Sequence, residues 1–230
     1  MSNRDRYQQG REVVITVREP GHTRPVELEG NLHLPEGAEA VVIFAHGSGS
    51  SRHSPRNKFV AQVIRQAGIG TLLFDLLTPD EESRDVWTGE LRFNIPLLAD
   101  RLAGATDWLV RQEELGYLAV GYFGASTGGG AALVAAAKNP DRAKAVVSRG
   151  GRPDLAGEYL DKVRAPTLLI VGGEDHVVIG LNRQAMEQMS ALVRLEIVSG
   201  AGHLFEEPGA LEEVARLSRD WFQAYLAGPS

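Results

Sequence analysis

Residues 118–137, LAVGYFGASTGGGAALVAAA, decide the fold of this chain. The segment begins with a short apolar run, Leu118–Phe123, whose length and composition favour a buried strand. It ends with Ala131–Ala137, where strong helix formers predict a helix. Between them, the G-x-S-x-G of Gly124–Gly128 predicts a tight turn from strand to helix. Such a turn would hold Ser126 at a strained apex with its hydroxyl exposed.

The motif alone does not distinguish a nucleophile from a structural serine. In a chain with 26 glycines, G-x-S-x-G also arises by chance. A helix-capping serine after a glycine-rich turn has the same local pattern. The order of the surrounding elements therefore has to decide between the two interpretations.

That order indicates an α/β fold. Two alternating segments, Glu12–Val17 and Val26–Leu34, flank the turn-forming residues Glu19-Pro20-Gly21 and predict an antiparallel pair. From Ala40 onward, apolar runs alternate with helical segments, which predicts a mostly parallel sheet covered on both faces. The predicted strands of this part are Val41–Ala45, Gly70–Phe74, Leu118–Phe123, Ala143–Val147, Pro166–Val171 and Val193–Val198. The predicted helices are Lys58–Gln66, Pro96–Arg111, Gly129–Lys138, Leu181–Ser190 and Leu211–Leu226, with a short one at Asp154–Lys162. No repeat or linker interrupts the pattern, so residues 1–230 are expected to form a single domain.

Composition narrows the class of function. The net charge of −6 argues against nucleic acid as a partner, because phosphate binding needs a basic surface. The chain has no cysteine, and its histidines and carboxylates lack zinc-ligand spacing, so neither a metal nor another cofactor is expected. The sequence shows no secretory signal and no run of about 18 apolar residues that could span a membrane. We therefore expect a cytoplasmic protein; the sequence does not determine its oligomeric state.

Three of the loops that follow the predicted strands combine into a catalytic arrangement. Ligands of parallel sheets bind at the carboxyl ends of the strands, where these loops lie. The hydroxyl of Ser126 needs a base within hydrogen-bond reach, and that base needs a group that orients it. His203 and Asp175 each follow a late predicted strand and are the candidates. The chain order Ser, Asp, His is that of a hydrolase with a nucleophile elbow.

The same mechanism requires donors for the negative oxygen of a tetrahedral intermediate. The backbone N–H of Thr127, directly after the serine, is one candidate, and the N–H of Ser48 is the other. His46 is expected to shape the loop that carries Ser48 rather than to titrate. Glu174 is a weaker alternative to Asp175 as the orienting acid.

Four segments carry a resemblance to a known family: HGSGSS (46–51), GASTGG (124–129), GGEDHVV (172–178) and GAGH (200–203). Together they resemble the α/β-hydrolase superfamily, within it the dienelactone-hydrolase-like branch. The resemblance implies a mostly parallel central sheet with an N-terminal antiparallel hairpin, helices on both faces and no lid domain. It implies hydrolysis of small carboxylic esters, with lactones as a further candidate, through an acyl-enzyme intermediate. Dienelactone hydrolases proper use a cysteine where this chain has Ser126, so the resemblance supports ester hydrolysis more than dienelactones as substrates.

Two other classes of function compete with this interpretation. A nucleotide-binding Rossmann-like module is suggested by Gly47-x-Gly49 after a strand and by Asp75 at the end of the next one. The fingerprint fails at its third glycine, which is Arg52. The second alternative is a catalytically inactive hydrolase fold that serves as a binding protein, which the intact Ser126, Asp175 and His203 disfavour.

Arginines and one tryptophan are candidates for substrate contact. Arg52 and Arg149 are predicted to border the same mouth as Ser126, and the guanidinium group suits capture of a substrate carboxylate. Trp87 lies in the polar segment Leu76–Leu91 after another strand. The competing interpretation is that these arginines, together with Arg152, pair with nearby acids such as Asp154 or those of the Asp175 loop, or simply stay solvated.

Overall fold

The computed structural model describes residues 7–19 and 24–226 and contains one eight-stranded sheet. Its strands are β1 (Arg11–Val17), β2 (Val26–His33), β3 (Ala40–Ala45), β4 (Gly70–Phe74), β5 (Ala119–Ala125), β6 (Ala143–Arg149), β7 (Thr167–Gly172) and β8 (Val193–Val198). They lie in the order β1-β2-β4-β3-β5-β6-β7-β8. β1 pairs with β2 and β2 with β4 in antiparallel fashion, whereas every pair from β4 to β8 is parallel. The predicted hairpin is thus confirmed, but Pro20 and Gly21 of its turn lie outside the described residues.

Helices cover both faces of this sheet. They are α1 (Pro55–Gln66), α2 (Pro79–Thr88), α3 (Ile95–Val110), α4 (Thr127–Lys138), α5 (His176–Gln188) and α6 (Ala210–Leu226), with a 3-10 segment at Pro153–Lys162. Val41 and Ile43 of β3 pack with residues of α3 and α4, whereas Val42 and Phe44 pack with residues of α1 and α6. Successive side chains of a strand point to opposite faces. The solid apolar runs of the sequence therefore form strands that are buried on both sides.

One helix is absent from the sequence-based prediction. The segment Leu76–Leu91, interpreted above as a polar excursion, contains α2. Thr78 and Glu81 form a capping box, in which each side chain accepts the backbone N–H of the other. Pro79 occupies the first turn, and Gly89 ends the helix with a φ of 69°. These are known start and stop signals, so the pattern Thr-Pro-Asp-Glu would have identified the helix.

The predicted short helix at Asp154–Lys162 takes a different form. It is a 3-10 segment, and Gly157 interrupts it with a φ of 48° and a ψ of −124°. A residue of this conformation cannot continue a helix, and glycine adopts it without steric cost. The other predicted elements of the parallel part are present with ends that differ by a few residues, and no inserted lid domain interrupts the described part of the chain.

Candidate active site

Ser126 lies at the turn between β5 and α4 in a backbone conformation that serine rarely adopts. Its φ is 52° and its ψ is −121°. A Cβ at Gly124 would overlap the carbonyl group of Gly128, and a Cβ at Gly128 would overlap the carbonyl oxygen of Ala45. Both glycines of the motif are therefore required for the close approach of β5, α4 and β3. The strain at Ser126 is of a kind that persists only where the surrounding structure enforces it, as at active sites.

His203 and Asp175 meet at the ends of β8 and β7. His203 Nδ1 lies 2.6 Å from Asp175 Oδ2. The carboxylate therefore holds the ring with its Nδ1 as the donor, which leaves Nε2 as the basic nitrogen. Glu174, the alternative acid, is exposed. Its backbone N–H donates to the carbonyl oxygen of Ala201, whereas its side chain has no hydrogen-bond partner among the described residues.

The loop after β6 brings the imidazole to the serine. The N–H of Ser126 donates to the carbonyl oxygen of Arg149 at 3.2 Å. At the next residue, Gly150, a Cβ would lie 3.5 Å from His203 Cε1. The edge of the His203 ring therefore lies next to Gly150, which follows the residue that is hydrogen-bonded to Ser126. Ser126 Oγ and His203 Nε2 are not hydrogen-bonded to each other here, and such catalytic contacts commonly tighten only when substrate binds.

The loop after β3 packs against the other side of the serine. A Cβ at Gly47 would lie 3.1 Å from Ser126 Cβ, so only glycine allows this approach without displacement. The N–H of Ser48 donates to Thr127 Oγ1 at 3.0 Å. Ser48 was predicted to offer its N–H to an oxyanion. In the structure, that N–H is already bound to the side chain of the other predicted donor residue.

His46 holds this loop through both ring nitrogens. Its Nδ1 is 3.0 Å from the carbonyl oxygen of Gly47, and its Nε2 accepts the N–H of Leu76 at 3.0 Å. The proton therefore lies on Nδ1, where it donates to Gly47. Burial lowers the pKa of His46 and outweighs the raising effects of the Gly47 carbonyl and nearby carboxylates. The neutral ring acts as a brace for the loop, in agreement with the sequence-based expectation.

A cavity of about 180 Å³ opens beside this loop, between it and α2. Apolar side chains from several elements form part of its wall: Leu76, Leu77, Val86 and Leu98. Charged side chains form another part of the wall: Asp75, Glu82, Asp85 and Arg92. Most of these residues belong to the segment whose helix the sequence-based prediction missed. The capping-box signal at Thr78 and Glu81 would have pointed to this wall.

The three expected substrate contacts have other surroundings. Arg52 binds Asp75 through both its backbone N–H, at 2.7 Å, and its guanidinium group, and it also pairs with Glu29 at 2.7 Å. Trp87 lies on α2 with 88 % of its surface exposed and does not line the cavity. Direct contact of either side chain with a substrate in the cavity finds no support in this geometry.

Arg149 is buried, with 6 % of its surface exposed. Its guanidinium group donates to Asn57 Oδ1 at 3.2 Å and lies 5.8 Å from the centre of the Phe205 ring. Burial, together with the positive charge of the neighbouring Arg56, lowers the pKa of Arg149 to about 10. The group therefore remains a cation at neutral pH but faces the protein interior rather than the mouth. Arg152, in contrast, pairs with Asp154 at 2.7 Å, as the competing interpretation predicted.

In residues 7–19 and 24–226, no group of three or more histidines and carboxylates is placed to hold a metal ion. Over the same ranges, every helix is too short or too polar to cross a lipid bilayer.

The sheet order, the helix-covered parallel strands and the strained serine between β5 and α4 define an α/β-hydrolase. The dienelactone hydrolase family matches residues 28–226, and the chain belongs to this family. A solved structure described as a dienelactone hydrolase from Anabaena variabilis is 58 % identical. It superposes with a TM-score of 0.89 over 95 % of this chain and 100 % of its own. The resemblance noted in the sequence is thereby confirmed.

Other similar proteins either carry a different description or have a much lower sequence identity. Two Mycobacterium tuberculosis proteins, each described as a putative phosphoribosyl transferase, are 57 % identical over 205 residues. The match covers 89 % of this chain and 45 % of theirs, so the chain spans about half the length of these curated relatives. Est1E from Butyrivibrio proteoclasticus is 16 % identical, with a TM-score of 0.73 over 92 % of this chain and 98 % of that one, and shows the fold alone.

Proposed function

We propose that the protein is a serine hydrolase that cleaves small carboxylic esters through an acyl-enzyme intermediate. The observation that carries the proposal is the 2.6 Å contact between His203 Nδ1 and Asp175 Oδ2 beside the strained Ser126. A serine hydroxyl is a poor nucleophile unless an oriented base removes its proton. The elbow exposes the hydroxyl, and the carboxylate fixes the base in the tautomer that the reaction needs.

In the first half of the reaction, Ser126 Oγ attacks the ester carbonyl carbon and its proton passes to His203 Nε2. The carbonyl electron pair moves onto the oxygen, which the N–H of Thr127 at the start of α4 stabilises. The intermediate then breaks its bond to the leaving alcohol, which receives the proton from His203. In the second half, His203 activates a water molecule that cleaves the acyl-enzyme by the same steps.

The cavity suggests small and uncharged acyl groups. Its volume of about 180 Å³ suits a short chain, and Leu76 and Val86 offer it an apolar wall. The arginines nearby are engaged: Arg52 by Asp75 and Glu29, and Arg92 by Asp85. Since charged partners already occupy these guanidinium groups, a substrate carboxylate would have to compete for them.

Nucleotide binding is less compatible with the geometry. Asp75 would have to bind a ribose, but its two carboxylate oxygens accept from the backbone and the guanidinium group of Arg52. Phosphoribosyl transfer, named for the Mycobacterium tuberculosis relatives, has no specific observation in its favour in this chain. More than half of each of those relatives lies outside the match.

The test is Ser126→Ala, assayed with p-nitrophenyl butyrate and by labelling with a fluorophosphonate. Removal of a triad nucleophile leaves only the small residual rate that binding and the oxyanion donors supply, so kcat should fall by several orders of magnitude. Labelling should disappear with it.

The matched control is Ser199→Ala, in an exposed turn after β8, which should behave as the parent does. Hydrolysis by Ser126→Ala within tenfold of the parent would contradict the proposal. A parent protein that neither turns over esters nor reacts with the fluorophosphonate would instead support the inactive-fold alternative.

A further inference from the structure

The second oxyanion donor expected from the sequence is not free. The N–H of Ser48 donates to Thr127 Oγ1 at 3.0 Å across 79 residues of chain. Thr127 is the residue directly after Ser126 and is itself buried, with 5 % of its surface exposed. The hydroxyl of Thr127 therefore lies between the loop after β3 and the first turn of α4. This is the region where the oxygen of a tetrahedral intermediate on Ser126 would develop its charge.

The Thr127 hydroxyl has an uncommitted proton. Its oxygen accepts from Ser48, whereas no described residue accepts its own O–H. Other buried hydroxyls on helices behave differently, since Thr106 is bonded to the carbonyl oxygen of Leu102 and Ser218 to that of Val214. Such a bond to the preceding turn is the usual arrangement for a helical hydroxyl. Thr127, in the first turn of α4, instead accepts the N–H of Ser48 from the loop after β3.

We infer that Thr127 supplies two oxyanion donors, its backbone N–H and its hydroxyl, and that the N–H of Ser48 acts through that hydroxyl. The inference rests on the proposed hydrolase function. When Ser126 Oγ bonds to the ester carbon, the carbonyl electron pair moves to oxygen, and the Thr127 O–H donates a hydrogen bond to it. A hydroxyl that already accepts a hydrogen bond is polarised and becomes a stronger donor. Ser48 is then a positioning residue, which orients Thr127 without touching the substrate.

The Ser48 N–H could donate to the oxyanion directly or act through the Thr127 hydroxyl. These two roles predict opposite effects on the rate when that hydroxyl is removed. If the Ser48 N–H donated directly to the oxyanion, Thr127 Oγ1 would compete for that N–H. Removal of the hydroxyl would then free the donor and leave the rate unchanged or raise it. If the hydroxyl is itself the donor, its removal takes away one hydrogen bond that forms with the transition state, and the rate falls.

The experiment is Thr127→Val, which keeps the branched shape and removes the hydroxyl. Loss of one oxyanion donor is expected to lower kcat for p-nitrophenyl butyrate by about 10²-fold with KM little changed. The inhibition constant of an aliphatic trifluoromethyl ketone, which forms a tetrahedral adduct on a serine, should weaken by a similar factor. Thr127→Ser retains the hydroxyl and should recover most of the activity. Thr167→Val is the matched control and should keep the parent rate, because Thr167 is a buried threonine at the amino end of β7, away from the carboxyl ends where the site lies.

Thr127→Ala provides a second variant without the hydroxyl if the valine does not fold, as judged by circular dichroism. The inference would be overturned if the variants that lack the hydroxyl had an unchanged or higher kcat and bound the trifluoromethyl ketone as tightly as the parent or more tightly. The rate of fluorophosphonate labelling separates this failure from that of the proposed function. If Ser126 of the parent is labelled and Thr127→Val is labelled as fast, only the role of Thr127 falls. If Ser126 of the parent is not labelled at all, both proposals fall.

Discussion

At the scale of single residues, two neighbouring carboxylates in one turn have different surroundings. Asp175 accepts from His203, whereas Glu174 points into solvent. Asp175→Asn should lower kcat by about 10⁴-fold, because the amide favours the wrong tautomer of the imidazole. Glu174→Gln is the matched control and should leave kcat within about twofold of the parent, as for a surface change far from the reacting atoms. Steady-state kinetics with p-nitrophenyl butyrate measure both, and the reverse ranking would assign the role to Glu174.

At the scale of elements, α2 and α3 are joined by a buried ionic network. Arg101 on α3 is 1 % exposed and donates to Glu19 and to Glu81, each at 2.6 Å. It also donates to the carbonyl oxygen of Leu76 at 2.7 Å, so it braces the wall of the cavity. Such a network tethers the capping box of α2 to the core.

Arg101→Met should therefore destabilise the protein by about 3–5 kcal/mol, because it removes the charged hydrogen bonds that this buried guanidinium group donates to Glu19 and to the partly buried Glu81. Urea unfolding followed by circular dichroism measures the loss. Arg111→Met removes an exposed pair with Asp107 at 3.7 Å and should cost less than about 1 kcal/mol. Equal losses in the two variants would show that the Arg101 network contributes no more than a surface pair.

At the C-terminal end of α2, Asp85 makes the stability of the protein depend on pH. Burial raises the pKa of Asp85, but hydrogen bonds from Arg92 and the N–H of Leu91 outweigh it and hold the pKa below its usual value of 3.8. A carboxyl group with a lowered folded-state pKa stabilises the fold above its unfolded pKa. That contribution is lost as pH falls through the folded pKa.

Asp85→Asn should accordingly lower the free energy of unfolding at pH 7 and reduce its decline at acid pH. Urea unfolding at pH 7 and near pH 3 compares the two conditions. Asp141→Asn, at an exposed site after α4, should retain the pH dependence of the parent. A parallel decline for Asp85→Asn and the parent would show that another group governs the acid response.

At the scale of the whole molecule, charge should select the substrate. The chain carries a net charge of −6. At the cavity, Arg52 and Arg92 are paired, while Glu82 is exposed without an ion-pair partner among the described residues. A negative field around a site disfavours ligands of the same sign.

We therefore expect kcat/KM for p-nitrophenyl butyrate to exceed that for mono-p-nitrophenyl succinate, an anionic ester of similar size, by about tenfold. The ratio of the two kcat/KM values should decrease in about 0.5 M salt, because salt screens the charges. Glu82→Gln should raise the rate with the succinate selectively. A preference for the succinate would instead restore the role in carboxylate capture that the sequence suggested for Arg52 and Arg149.

The sequence by itself determined the architecture and the catalytic candidates, because both depend on local patterns. The wholly buried strand Gly70–Phe74 and the edge strand Val193–Val198, in which apolar and charged residues alternate, both have the predicted bounds in the structure. The elbow is likewise local, since the glycines that flank Ser126 lie two residues away on either side. The missed helix α2 is a failure of interpretation rather than of information, as its capping box is visible in the chain.

Only the tertiary structure decided which polar groups are free to act. Arg149 is held by Asn57 across 92 residues, Arg52 by Asp75 across 23, and the N–H of Ser48 by Thr127 across 79. Each of these donors was a candidate ligand in the sequence, and each already has a partner from a distant part of the chain. The order of strands in the sheet brings these parts of the chain to one edge, and hydrogen bonds form between the groups that meet there. A linear pattern specifies the groups but not their distances, and distance determines which donors remain for a substrate.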